Sequence, residues 1–276
     1  MTGSGTLRMQ DLVGRRLGSQ RSCYVERDVI LYALATGASP TDLDLVYERQ
    51  IRVLPTFALP LGLWAVEAAG GLGAYDPALS LHVGQVLQVY RPLPALGEIE
   101  TSGIIASVWD KGSAAIMEIS VTSDFFDAKY VIYVPGAGGF GGERGPGVAG
   151  EAAPIEAGED YETSVATAEN QAALYRLTGD LHPVHIDPVA ARAAGFDRPI
   201  LHGLCTLGCV TRAVCAAAGR DPTSLRQLFA RLTAPVYPGA TIDVRCRTAR
   251  SLFDFVATVG GTGVVTSGSG VFASGD

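Results

Sequence analysis

The run YRLTGDLHPVHIDPVAARAAGFDRPILHG, Tyr175 to Gly203, carries most of the chemistry in this chain. Pro183 and Pro188 prevent one continuous helix through it, because proline lacks an amide donor and restricts the residue before it. Asp180, His182 and His185 therefore sit on an irregular loop. Asp187 is a good N-cap and Pro188 fits the first helical position, so the pattern predicts a short helix over Val189–Ala194, closed by Gly195. The segment ends at LHGL and leads into GLCTLGCVTRAVCAAAG, an apolar helix predicted to stop near Gly219. An aspartate and a histidine on one rigid loop can share a pocket, where carboxylate and imidazole together hold a water and move its protons. Gly203 permits close approach to the backbone, and amides at a helix N-terminus are ready donors to developing negative charge. Three of the four histidines (His182, His185 and His202) lie in this run. The plainer reading is a capped loop whose polar groups satisfy their own backbone. Residue types alone leave both open.

Outward from this run, the composition breaks once, between Gly136 and Glu159, in a Gly/Pro-rich stretch read as a linker. It leaves an N-terminal domain at 1–135 and a C-terminal domain at 160–276, each long enough for its own core. In the first, Glu26–Ala35 reads as an amphipathic helix and FALPLGLWAVEAAGG contains another. Strand-like runs follow at Val86–Tyr90, Glu98–Trp109, Ala114–Asp124 and Lys129–Val134, with a DKG turn at Asp110–Gly112. In the second, a polar entry and a helix around Asn170–Leu177 precede the loop. Strands then run at Leu225–Ala234, Thr241–Ala249, Phe253–Val259 and Val264–Phe272. Helix first, then consecutive strands, predicts an α+β architecture with antiparallel sheets rather than alternating βαβ units. No sequence identity between the halves marks a repeat.

The chain has 276 residues, 47% apolar, with a formal net charge of −7. Only Lys111 and Lys129 are lysines and no basic cluster exists, so no nucleic-acid surface is expected. No apolar run approaches the roughly 18 residues of a membrane span, and no signal-like leader is seen, so no membrane association is expected. Five cysteines, an odd number, read as small buried hydrophobes of a reducing, cytoplasmic compartment. Gly136, Gly138 and Gly141 match G-x-G-x-x-G, but Pro146 and Gly147 forbid the helix a dinucleotide site needs. The His and Asp spacing fits no standard metal set. No metal and no cofactor are expected. His82 stands alone in the sequence and receives no role.

Tyr175, Thr178, Gly179, Asp180, Pro183, His185, Asp187, Pro188 and Ala191, followed by His202 and Gly203, resemble the signature of the MaoC-like, hydratase 2 family of (R)-specific enoyl-CoA hydratases. AGFDRPILHGLCTLG, YERQIRVLPTFA and GAGGFGGERGP extend the resemblance to the long, two-domain members, over roughly residues 23 to 272. The resemblance implies a double hot-dog fold, each half wrapping an antiparallel sheet around a central helix. The C-terminal half would carry the catalytic loop, and the N-terminal half would make room for an acyl chain. It implies reversible syn hydration of trans-2-enoyl-CoA to (3R)-3-hydroxyacyl-CoA in a β-oxidation-type pathway. Asp180 and His185 would activate water, and the Gly203 N–H would polarise the thioester carbonyl. Tyr175 and Thr178 would position Asp180. Gly139, Phe140, Arg144, Arg198 and His202, with Tyr175 and Thr178, are candidate substrate or CoA contacts. A homodimer is implied. The family has Asn where this chain has His182, an auxiliary candidate. That departure keeps a non-catalytic acyl-CoA-binding subunit in view, beside a (3R)-hydroxyacyl thioester dehydratase running in the opposite direction.

Overall fold

The computed structural model describes residues 7–146 and 155–273, so part of the expected linker, 147–154, lies outside the described residues. The first half contains β1 (Arg16–Tyr24), α1 (Glu26–Ala35), α2 (Leu43–Val46), α3 (Ala58–Gly62), α4 (Trp64–Gly70), β2 (Leu81–Val89), β3 (Gly97–Asp110), β4 (Ala114–Thr122) and β5 (Phe126–Pro135). The second contains β6 (Glu159–Ala166), α5 (Gln171–Tyr175), α6 (Pro188–Ala193), α7 (Gly203–Ala217), β7 (Leu225–Leu232), β8 (Thr241–Ala249), β9 (Leu252–Val259) and β10 (Thr262–Phe272).

Among the described residues the ten strands form one sheet, ordered β1-β3-β4-β5-β2-β7-β10-β9-β8-β6, with every neighbouring pair antiparallel. Counted within its own half, each set follows the order first, third, fourth, fifth, second. The repeat that is absent from the residues is present in the topology. The halves meet where their second strands pair, from Gly84↔Arg231 to Gln88↔Gln227. This is the double hot-dog architecture implied above.

One expectation is corrected in both halves: a strand precedes the helices. β1, RLGSQRSCY, and β6, EDYETSVA, are the outer edges of the sheet and largely exposed. Edge strands with a polar face lack the apolar alternation that reveals a half-buried strand. The other elements form where their patterns place them. α1 starts where the Asp28 carboxylate accepts the Val25 amide at 2.9 Å, and ends before Gly37 at φ +86°. Its buried face is Val29, Tyr32, Ala33 and Ala35. α7 buries all but four of its fifteen residues, which explains an apolar pattern on every side. Leu204, Leu207 and Val210 lie within its buried surface, each contributing about 1.5–3 kcal/mol. The first half's second helix is broken at Leu63 into α3 and α4.

The glycine-rich stretch is docked up to Pro146. The Asp110 carboxylate accepts the amides of Gly112, Gly139 and Gly141, each at 2.8 Å, and the Asp110 amide donates to the Glu143 carbonyl at 2.9 Å. These amide donors hold the Asp110 carboxyl down to about 2. The Lys111 ammonium donates to the carbonyls of Arg144 and Pro146. At Gly138 a Cβ would collide with the carbonyl oxygens of Gly112 and Ala114. The amide nest that resembles a phosphate cradle is thus filled by the protein's own carboxylate.

Candidate active site

After α5 the chain makes one 3-10 turn, Arg176–Thr178, closed by the Thr178 hydroxyl donating to the Tyr175 carbonyl at 2.8 Å. Gly179 follows at φ +134°, open to glycine and strained for other residues, and lies against Pro60 of α3. The Asp180 carboxylate accepts the His182 amide at 3.2 Å. The His182 ring then accepts the Val184 amide through Nδ1 at 3.3 Å, capping the 3-10 turn Pro183–His185. Asp187 caps α6 by accepting the Val189 amide at 2.7 Å, and Gly195 closes it at φ +88°.

His185 is held by its Nδ1, 2.9 Å from the Ile200 carbonyl. A carbonyl only accepts, so Nδ1 carries the proton and Nε2 presents its lone pair. His202 lies face to face with it, ring centroids 3.7 Å apart at 26°. The His202 Nε2 donates to the Asp180 carbonyl at 3.2 Å. Burial lowers both imidazoles: His185 below its ordinary value in spite of the Asp180 charge, and His202 to about 3. Both rings are neutral at physiological pH. The site therefore offers a carboxylate, an imidazole lone pair and the first amide of α7 at Gly203. That amide has no acceptor within its own helix.

The other candidates divide. Tyr175 and His202 are fully buried, with the Tyr175 ring 4.9 Å from His202. Both side chains are closed off from solvent, packed against each other and, through His202, against His185. The Thr178 hydroxyl is engaged in its own turn. Gly203 meets protein rather than open space, since a Cβ there would lie 2.7 Å from Leu232 Cδ1. Arg198 is exposed, its guanidinium 5.0 Å above the Tyr237 ring. The Gly139 amide is taken by Asp110, Phe140 packs partly buried on the core, and Arg144 is exposed. Strand register (Ala114↔Pro135, His82↔Ile132, Gly84↔Arg231) puts the glycine-rich segment at the same end of the sheet as His82 and Leu232.

His82 is the residue that sequence reasoning missed. It comes from the first half, donates through Nε2 to the Gly84 carbonyl at 2.9 Å, and packs 5.8 Å from the Tyr130 ring. Burial lowers it, while the Asp180 charge raises it, so it lies within electrostatic reach of the loop. Glu67 of α4 is raised by burial and then by Asp180. Nothing in the spacing of a lone histidine about a hundred positions upstream signals this meeting.

Ligand atoms of Asp180, His185 and His202 lie within 4.8 Å of one another. They do not suit a metal. Lone pairs lie in the ring planes, so two imidazoles stacked face to face aim side by side instead of converging on one ion, and a closed site needs convergent ligands. A hollow of about 820 Å³ near Tyr161, Ala218, Arg220 and Ser251 includes none of the loop residues. Among the described residues, no helix is long and apolar enough to cross a membrane.

Comparison with known proteins matches the two halves separately, to an MFE-2 hydratase 2 N-terminal domain over residues 23–134 and to a MaoC-like domain over 151–264. "Enoyl-CoA hydratase 2, peroxisomal" of Arabidopsis thaliana is 37% identical over 265 residues, covering 84% of each chain. The chain belongs to the MaoC-like hydratase 2 family. The mouse "Peroxisomal multifunctional enzyme type 2" is 38% identical over 272 residues. There the alignment covers 92% of this chain and 37% of that enzyme, so this hydratase 2 chain spans little more than a third of it. The crystal structure of a MaoC-like dehydratase from Phytophthora capsici superposes with a TM-score of 0.85 at 26% identity, covering 97% of this chain and 98% of that one. The likeness of this hydratase 2 member to its relatives runs through both halves, well beyond the loop.

Proposed function

We propose that the protein is an (R)-specific enoyl-CoA hydratase, adding water to trans-2-enoyl-CoA to form (3R)-3-hydroxyacyl-CoA in a β-oxidation-type pathway. The observation that carries this reading is that the Asp180 carboxylate and a ring nitrogen of His185 lie within 4.8 Å of each other, each side chain held by a backbone contact, on the segment that leads into α7 at Gly203. A water between the two is deprotonated as its oxygen bonds to C3. The C2=C3 π electrons move toward the thioester, and its oxygen carries the developing charge. The Gly203 N–H stabilises that enolate. The pair then delivers a proton to C2, on the same face for syn addition, so water is consumed whole.

His182 supports the catalytic reading over the silent subunit. Its Nδ1 does the capping that an asparagine oxygen would do, so the loop keeps its shape with the family residue replaced. The C-terminal domain, 160–276, supplies the acid–base loop. The N-terminal domain, 1–135, walls the acyl end through α3, α4 and His82. An acyl-CoA thioester is the substrate, a homodimer the working unit, and the cytoplasm its compartment, in keeping with five free cysteines. The test follows loss of enoyl thioester absorbance with crotonyl-CoA and C8 and C12 trans-2-enoyl-CoAs, the product being read by an (R)-specific dehydrogenase. Formation of the (3R) alcohol is expected. Silence at every chain length overturns the reading.

A further inference from the structure

The acid–base pair leaves His202 without a task, yet its ring touches both members. Its face lies on His185, 3.7 Å between centroids, and its Nε2 donates to the Asp180 carbonyl at 3.2 Å. Behind it stands Tyr175 at 4.9 Å, and behind Tyr175 stands Tyr32 of α1 at 5.9 Å. A row of rings thus runs from the N-terminal half to the catalytic imidazole. His202 Nδ1 and both tyrosine hydroxyls are buried without a hydrogen-bond partner among the described residues. A second proton on His202 would sit on Nδ1, a buried atom with no hydrogen-bond partner among the described residues, and burial outweighs the nearby Asp180 charge, so the ring stays neutral and keeps its single donor on the Asp180 carbonyl.

We infer that His202 is a positioning residue of the hydration site, one ring that sets the spacing and orientation of the pair by donating to the Asp180 carbonyl and stacking on His185. The inference rests on the reading of Asp180 and His185 as the acid–base pair. His202→Gln keeps an N–H donor on a flat amide. His202→Leu fills the same buried space with neither. Misplacement of a reacting group by about 1 Å costs on the order of 100-fold. The full chain carrying His202→Leu is therefore expected to lose roughly 10- to 100-fold in kcat with little change in KM, and His202→Gln to recover part of that loss. A residue that only fills space gives the reverse order, because leucine suits an apolar site better than a buried amide. Leucine at or above glutamine in kcat overturns the inference.

A second readout does not depend on turnover. In protein labelled with 15N-histidine, the His185 tautomer and titration midpoint are expected to move in His202→Leu. An unmoved His185 signal in a folded variant overturns the positioning role. If the unaltered protein hydrates no enoyl-CoA, the proposed reaction fails, and this titration still decides whether His202 orients its neighbour.

Discussion

His182 Nδ1 accepts the Val184 amide at 3.3 Å, so an imidazole caps the turn that presents His185. Asparagine is among the preferred caps for the same reason, a side-chain acceptor on a short stem that reaches the nearby backbone amide. His182→Asn is expected to retain hydratase activity within a few-fold. His182→Ala is expected to lower stability by about 1 kcal/mol, a fall in Tm of roughly 2–4 °C, with a matching loss of kcat. Thermal unfolding and steady-state kinetics on the two variants check this. An alanine variant as stable and active as the parent removes the capping argument.

Asp180→Asn and His185→Gln keep the size of each side chain and remove its basicity. Each is expected to reduce kcat by about 10²-fold or more with the fold intact. Kinetics with the best chain length, alongside circular dichroism, separates lost chemistry from lost structure. Near-normal turnover in either variant removes that residue from the mechanism.

The pH dependence follows from burial. His185 works through a lone pair on Nε2, so protonation abolishes its role. Its pKa lies below the ordinary value of about 6.5, and the acid limb of kcat/KM is expected below that pH, with a flat profile at neutrality. An acid limb centred at pH 7 or above contradicts the buried, neutral imidazole.

Stability moves in the same direction. In the unfolded chain His202 titrates near pH 6.5, whereas in the fold it is held to about 3. Below 6.5 the unfolded state binds the extra proton, so folding stability is complete above that pH and declines as pH falls toward 3. For this one group the slope is at most about 1.4 kcal/mol per pH unit. Denaturant midpoints across pH 4–8 measure it, and His202→Gln is expected to flatten the curve.

Asp110 predicts a structural effect away from the chemistry. Asp110→Ala frees the amides of Gly139 and Gly141, and their hydrogen exchange is expected to accelerate by about tenfold or more, as for lost hydrogen bonds to a charged group. Unchanged protection at both glycines shows that the segment is held by other contacts.

Local sequence determined the parts of this protein that depend on local physics. Asp187, Pro188 and Gly195 bound a short helix because caps and φ preferences act within a turn. The Tyr175–Gly203 motif located Asp180, His185 and Gly203 on one loop and at one helix start. Tertiary structure alone decided the rest. β1 and β6 escaped notice because an exposed edge strand needs no apolar alternation. The strand order that repeats in both halves is set by long-range pairing, which leaves no mark in residue identity. His82, of the first half, comes within electrostatic reach of Asp180, of the second, an event invisible to its neighbours in sequence. Tyr175 and His202 are ordinary motif positions until packing buries them behind the pair. Gly203 owes its lack of a side chain at least partly to Leu232, a contact made across the core. Propensity reaches a few residues along the chain, while burial and stacking belong to residues that only the folded sheet brings together.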